Sequence, residues 1–176
     1  MNIMSSHRTD EWLTPLPILD LVREVLGDLD LDPASSEQAN ERVGARDYFT
    51  CDSDGLSSVW PDAGTVYLSP PGGKVNNQSR TALFWKKLME HQSTRAFKHG
   101  IFMAFSAEAR QTTQGHGVLS INDFPNCTPA RRIKFDHADG HQGESPAHSN
   151  CIVYVPGSVD KTDKFIRVFR TIGATR

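Results

Sequence analysis

Val66-Tyr67-Leu68-Ser69-Pro70-Pro71-Gly72-Gly73-Lys74 ends an apolar run at a small hydroxyl and then bends the chain with two prolines and two glycines. The prolines fix the backbone and the glycines carry no side chain to obstruct a close-approaching ligand, so the bend is stiff and open. Proline has no N–H to donate. The bend around Pro70 and Pro71 therefore offers acceptors, unlike the N–H cradle of a phosphate loop that Gly73-Lys74 superficially suggests. Its natural guest is a hydrogen-bond donor, such as an amino group.

Two acids sit in comparable positions. Leu29-Asp30-Leu31-Asp32 alternates apolar and acidic residues and stops at Pro33, a short strand that leaves Asp32 at its C-terminal end. Asp47 to Cys51 reads as another short strand, and the turn Asp52-Ser53-Asp54-Gly55 after it puts Asp54 on a loop.

The elements that must hold these residues alternate along the chain. Thr14-Pro15 starts a helix, a hydroxyl cap followed by proline, with Ile18, Val22, Val25 and Leu26 on one face and Gly27 as its stop. Ser35 or Ser36 caps a short helix through Gln38 to Arg42. Val66 to Leu68 is a strand, and Ser79 opens a helix whose stripe is Phe84, Trp85, Leu88 and Met89. Gly100 to Phe105 is a buried strand, and Ala107 to Gln111 a short helix. Arg132 to Phe135 and Cys151 to Val155 read as an antiparallel hairpin at one edge, joined by the polar loop Asp136 to Asn150. A last helix near Asp160 to Ile172 carries Phe165, Val168, Phe169 and Ile172. This order implies an α/β fold with a mostly parallel sheet, whose ligands bind beyond the carboxyl ends of the strands. Asp32, Asp54 and Ser69 are thereby expected around one crevice.

At 176 residues the chain fits one domain over 1–176, large enough to bury about 70% of its unfolded surface. The 19 Lys+Arg against 21 Asp+Glu require any nucleic-acid contact to come from a local patch. Lys74, Arg80, Arg131, Arg132 and Lys134, with the basic face of the last helix, form the one plausible phosphate footprint, although Arg131, Arg132 and Lys134 also fit the solvent face of an edge strand. Cys51, Cys127 and Cys151 lack the paired spacing of a zinc site or a disulfide framework and read as reduced thiols. Met1 to Thr9 has no apolar signal core, and the longest purely apolar run, Ile101 to Phe105, is too short to cross a bilayer. A cytoplasmic protein without a membrane partner is expected, and nothing in the sequence fixes its oligomeric state. His137, His141 and His148, with Asp136, Asp139 and Glu144, would suit a metal-dependent nuclease. Their loop lacks a regular scaffold, however, so a solvated connection is favoured and no metal is expected.

Taken in order, Asp10-Glu11-Trp12, Thr14-Pro15, Leu31-Asp32-Pro33-Ala34-Ser35, Asp54-Gly55-Leu56, Trp60 and Ser69-Pro70-Pro71 resemble the amino-methylating DNA methyltransferases, in particular the short phage-type adenine-N6 enzymes of the Dam group. The resemblance covers most of the chain and implies a Rossmann-like class I methyltransferase fold, S-adenosyl-L-methionine as cofactor and DNA as partner, with no separate target-recognition domain. It places Trp12, Thr14, Pro15, Asp32, Pro33, Ala34, Asp54, Gly55 and Leu56 at the cofactor, with Asp54 receiving its adenine amino group. Ser69, Pro70 and Pro71 become the catalytic turn, whose acceptors hold an exocyclic amine as the methyl transfers in line. Two positions depart from the family pattern. Ser69 stands where adenine enzymes more often carry Asp or Asn, which keeps cytosine N4 open as a target. Gly72 stands where an aromatic usually stacks on the flipped base, a loss worth roughly 5- to 150-fold in rate. That departure also leaves open a degenerate cofactor- or DNA-binding homologue, and it makes Trp85 or Phe84 the candidate replacement for stacking.

Overall fold

Apolar residues in this chain recur with two periods, and each period has built one kind of layer. The computed structural model describes residues 12–62, 64–94, 97–110, 118–139 and 148–176. Asp10, Glu11, the 111–117 loop, His141 and Glu144 lie outside the described residues. The elements run β1 (Trp12–Leu13), α1 (Leu16–Leu26), β2 (Leu31–Asp32), α2 (Glu37–Val43), β3 (Asp47–Tyr48), β4 (Thr65–Leu68), β5 (Lys74–Val75), β6 (Gln78–Ser79), α3 (Arg80–Gln92), β7 (His99–Ala104), β8 (Asn126–Pro129), β9 (Asp136–His137), β10 (Cys151–Pro156), α4 (Thr162–Phe169) and β11 (Gly173–Thr175). Short 3-10 turns occupy Ala107–Arg110 and Val118–Asp123.

Seven strands form the central sheet in the order β11-β8-β10-β7-β4-β2-β3. β3, β2, β4 and β7 are mutually parallel, β10 runs against β7, β8 against β10, and β11 against β8. Only β10 and β11 oppose the other five, so the sheet is mostly parallel with its antiparallel part at one side. Strand alternation feeds two cores. Tyr67, Ile101, Met103, Ile152 and Tyr154 face α1 and α4, whereas Val66, Leu68, Phe102, Ala104, Val153 and Val155 face α3. Each fully buried aliphatic or aromatic side chain contributes about 1.5–3 kcal/mol. No helix among the described residues is long and apolar enough to cross a membrane.

Local signals set the helix ends. Ser36 and Ser79 accept hydrogen bonds from the Ala39 and Ala82 N–H groups and cap α2 and α3. Gly27 ends α1 at φ 81°, where a side chain would be strained. Thr14 differs from the sequence expectation: Pro15 is the cap residue of α1, and no side-chain cap bond forms there.

The edge hairpin is also built differently. Residues 131–135 form an irregular segment, and β10 pairs with β7 on one side and with β8 on the other. The Ile133 and Phe135 alternation comes from a segment lying over the α1 core, where Ile133 is buried and Phe135 packs against it. Asn150 ties this segment down, accepting from the Ile133 N–H through Oδ1 and donating to the Phe105 carbonyl through Nδ2. β8 and β11, with Asn126, Pro129 and Gly173, carry little intrinsic strand preference. Pairing makes them strands.

Candidate active site

The parallel strands create a crevice before any side chain is considered. The chain leaves β2 for its neighbour β3 and then returns across β2 to β4, so connections diverge between β2 and β4, a topological switch point. Asp32 ends β2, and Ser69 follows the last residue of β4. The two residues chosen from the sequence for opposite halves of a site therefore sit at the carboxyl ends of adjacent strands.

Asp32 is 3% exposed. Its Oδ1 accepts from the Ala34 N–H at 3.2 Å, and the Ser35 hydroxyl also favours its charged form. These donors do not offset the loss of water: burial raises the Asp32 pKa from 3.8 to about 7. The carboxyl is thus poised for a cation or a cluster of hydroxyl donors.

Tyr67 binds the crevice together. Its hydroxyl shares a 2.7 Å hydrogen bond with the Thr14 hydroxyl, and the Ser69 side chain also acts on it. Burial pushes the phenol up, and the nearby Asp32 charge pushes it further, so it stays a neutral donor. Thr14, from the segment entering α1, thereby bonds the phenol directly, with Ser69 after β4 acting on it and the Asp32 charge at the end of β2 felt there.

The Asp54 loop is fastened to the same strand end. A Cβ at Gly55 would fall 1.9 Å from the Pro33 carbonyl oxygen, so only glycine lets the loop lie against Pro33. Trp60 Nε1 donates to the Gly55 carbonyl at 2.7 Å, while Lys87 Nζ from α3 donates to the carbonyls of Leu56 and Ser58 and lies over the Trp60 ring. Asp54 itself is exposed, with φ 42°. The Ser57 hydroxyl and then the Leu56 N–H hold its carboxyl below the usual carboxylate range.

After Ser69, Pro70 is buried and Pro71, Gly72 and Gly73 are exposed. The chain then forms the β5–β6 hairpin, whose tip residues Asn76 and Asn77 both have positive φ. The Arg80 N–H donates to the Gly73 carbonyl, which fixes the turn against the start of α3.

Neither a comparison with protein-family models nor one with curated proteins yields a match. Among solved structures, the chain is similar to a Listeria monocytogenes protein provisionally described as a class I S-adenosylmethionine-dependent methyltransferase. The TM-score is 0.52 at 13% identity, over 91% of this chain and 64% of that one. The chain has the Rossmann-like class I methyltransferase fold. A dimethyladenosine transferase from Plasmodium falciparum lies further off, at TM-score 0.48 and 13% identity, over 89% of this chain and 65% of that one. This chain thus spans under two thirds of the length of either.

Within this methyltransferase fold the other sequence candidates separate. Trp85 is 2% exposed, packs edge-on against Phe102 and Phe124, and donates from Nε1 to the Ser120 hydroxyl; it is a core residue and presents no ring to a base. Phe84, 5% exposed, lies in the same core. Trp12 is exposed at the rim and meets His137 edge-on, and β1 pairs with β9 there. His137 Nδ1 lies 2.7 Å from Asp139 Oδ1, Arg42 pairs with Asp136, and Gln38 donates to the Ala138 carbonyl, so 136–139 is docked on α2. No group of three or more potential metal-ligating residues occurs among the described residues. Lys74 is exposed and Arg80 half-buried beside the turn; Arg131, Arg132 and Lys134 are exposed on the irregular segment.

A cavity of about 400 Å³ opens below β2, lined by Arg23, Asp28, Asp30 and Arg46 among others. Its charges are spent locally: Arg23 donates to the Arg42 and Val43 carbonyls, and Arg46 pairs with Asp30 and Asp47. The cavity lies away from the carboxyl ends and has no part in the site. Tyr67 and Lys87 are the site residues that sequence reasoning missed. Tyr67 lies within the strand read over Val66 to Leu68 and its ring is core, and Lys87 falls off the apolar stripe of the helix that Ser79 opens.

Proposed function

We propose that this chain uses S-adenosyl-L-methionine to methylate an exocyclic amine of a DNA base, adenine N6. The observation that carries the reading is the convergence of Thr14, Tyr67, Ser69 and Asp32 at the switch point between β2 and β4. The cofactor suits that place: a buried carboxyl with only neutral local donors gains from ribose hydroxyls or an ammonium. When bound, the cofactor supplies an electrophilic methyl on a sulfonium.

The chain's own residues do the rest. Asp32 accepts hydrogen bonds from the cofactor, Asp54 receives its adenine amino group, and Trp12, Thr14 and Pro15 form the near wall. Pro33 and Ala34 carry the strand end, and Gly55 and Leu56 keep the Asp54 loop against it. Ser69 Oγ and the Pro70 carbonyl accept the amino hydrogens of the target, hold the nitrogen nearer to tetrahedral and absorb charge as it becomes cationic. Tyr67, hydrogen-bonded to Thr14 and next in sequence but one to Ser69, braces the start of the turn against the segment that enters α1. Lys74, Arg80, Arg131, Arg132 and Lys134 supply phosphate contacts that position the duplex.

The test is transfer of labelled methyl from S-adenosylmethionine to unmethylated DNA, followed by mass spectrometry of the nucleosides. N6-methyladenine is expected. N4-methylcytosine would favour the second reading, for which Ser69 at the first turn position speaks. Cofactor binding without transfer would leave a degenerate homologue.

A further inference from the structure

The turn lacks an aromatic side chain at Gly72, yet an aromatic ring lies beside it. A Cβ built at Gly72 meets the Phe105 ring at 3.9 Å, ordinary van der Waals contact. Gly72 has no positive φ, so its backbone does not demand glycine. A Cβ would fit there, and only a larger side chain would contend with the neighbouring ring for the room in front of the turn.

Phe105 reaches that room from the adjacent strand. β4 and β7 are parallel with Leu68 opposite Phe102, so Phe105, three residues beyond Phe102, comes off the same sheet end as Pro71, three beyond Leu68. Its backbone carbonyl is held by Asn150 Nδ2 at 3.0 Å. Its ring is half-buried, with the His148 ring at 5.5 Å and the Phe135 ring at 6.3 Å, both tilted against it. The ring is therefore buttressed and partly open at the mouth of the turn, unlike Trp85 and Phe84 in the core.

We propose that Phe105 is the base-stacking residue of this chain: it holds the extruded base at the Ser69-Pro70 turn in place of an aromatic at position 72. This rests on the methyltransferase reading above. An aromatic beside a flipped base is useful because every base has a π-face, so the ring can come from any strand that brings it there.

The experiment measures kcat/KM for an unmethylated oligonucleotide duplex beside S-adenosylmethionine affinity by calorimetry, in the full chain and three variants. Phe105→Leu keeps apolar bulk and removes the π-face; kcat/KM is expected to fall about 5- to 150-fold with cofactor affinity unchanged. Phe105→Tyr is expected to retain most activity. Gly72→Phe, at an exposed position that does not threaten the fold, adds a ring that contends with Phe105 for one volume, so kcat/KM is expected to fall. A rise in kcat/KM for Gly72→Phe would overturn the assignment, because it would mean the stacking position was vacant. Wild-type kcat/KM in Phe105→Leu would overturn it as well. Either result in an active wild-type protein leaves the methylation reading standing; a wild-type protein that binds cofactor and transfers no methyl removes both.

Discussion

Asp32→Asn should separate what the site needs from what the fold prefers. The carboxyl titrates at about 7 in the folded chain against 3.8 as its ordinary value, and burial is the main cause. A group whose folded pKa is raised binds more protons in the native state between those two values, so its contribution to stability falls as pH rises through that window. The penalty is absent below pH ~4 and complete above pH ~7. About three units at 1.36 kcal/mol each give an upper bound of ~4 kcal/mol. The asparagine keeps an acceptor for the Ala34 N–H but buries an amide with no assigned acceptor, a cost of about 1–3 kcal/mol at every pH. The variant should therefore be the less stable protein at pH 4 and should overtake the wild type as pH rises, by about 1–3 kcal/mol at pH 8. Urea denaturation from pH 4 to 8.5 without ligand reads this directly, because other titrating groups cancel in the difference. S-adenosylmethionine affinity should fall at least about tenfold in the variant, since hydrogen bonds to a charged acceptor contribute about 1.5–3 kcal/mol. In the wild type, affinity should strengthen as pH rises through about 7. A stability difference that does not change with pH would refute the reasoning, for it would mean the Asp32 charge is already compensated in the free protein.

The other predictions rest on single contacts. Gly55→Ala must displace the Asp54 loop, since its Cβ would lie 1.9 Å from the Pro33 carbonyl oxygen; weakened cofactor binding in a folded protein is expected by calorimetry, and unchanged affinity would separate that loop from the site. Trp85→Ala should cost about 3–5 kcal/mol in denaturation midpoint analysis, the range for removing a buried aromatic, and any loss of activity should track unfolding. His99, 2% exposed and sharing a hydrogen bond with the Tyr154 hydroxyl, is held down at about 4 by burial first and by Lys161 next. A histidine kept neutral in the fold loses stability as pH falls from about 6.5 toward 4, by up to ~3 kcal/mol, and His99→Gln should flatten that acid limb in a pH series of thermal melts.

The elements legible in the sequence are those whose cause is local. The α1 stripe with its Gly27 stop, the caps at Ser36 and Ser79, and the apolar β4, β7 and β10 segments needed no distant partner to be read. β8 and β11 were hidden because Asn126, Pro129 and Gly173 become strand only by pairing, whereas Ile133 and Phe135 alternate without any ladder. The same division runs through the site. Asp32 and Ser69 stand at strand ends and Asp54 on the loop after β3, places a sequence marks with proline and glycine. Tyr67, Lys87 and Phe105 meet segments far off in the chain, Thr14, the Asp54 loop and Gly72, contacts it does not mark.

That division bears on how the missing aromatic should be sought. Reading along the chain, the next rings after Gly72 are Phe84 and Trp85, on the helix that follows the turn, and both prove to be core. The register of a parallel sheet points elsewhere: residues equally far past paired positions on β4 and β7 leave the sheet side by side, which puts Phe105 next to Pro71 and Gly72. A turn built at a strand's carboxyl end draws its side chains from the neighbouring strands as readily as from its own continuation. On that argument a glycine at the aromatic position records a change in which strand supplies the ring, and the rate cost of roughly 5- to 150-fold attached to a turn with no ring at all need not fall on this chain.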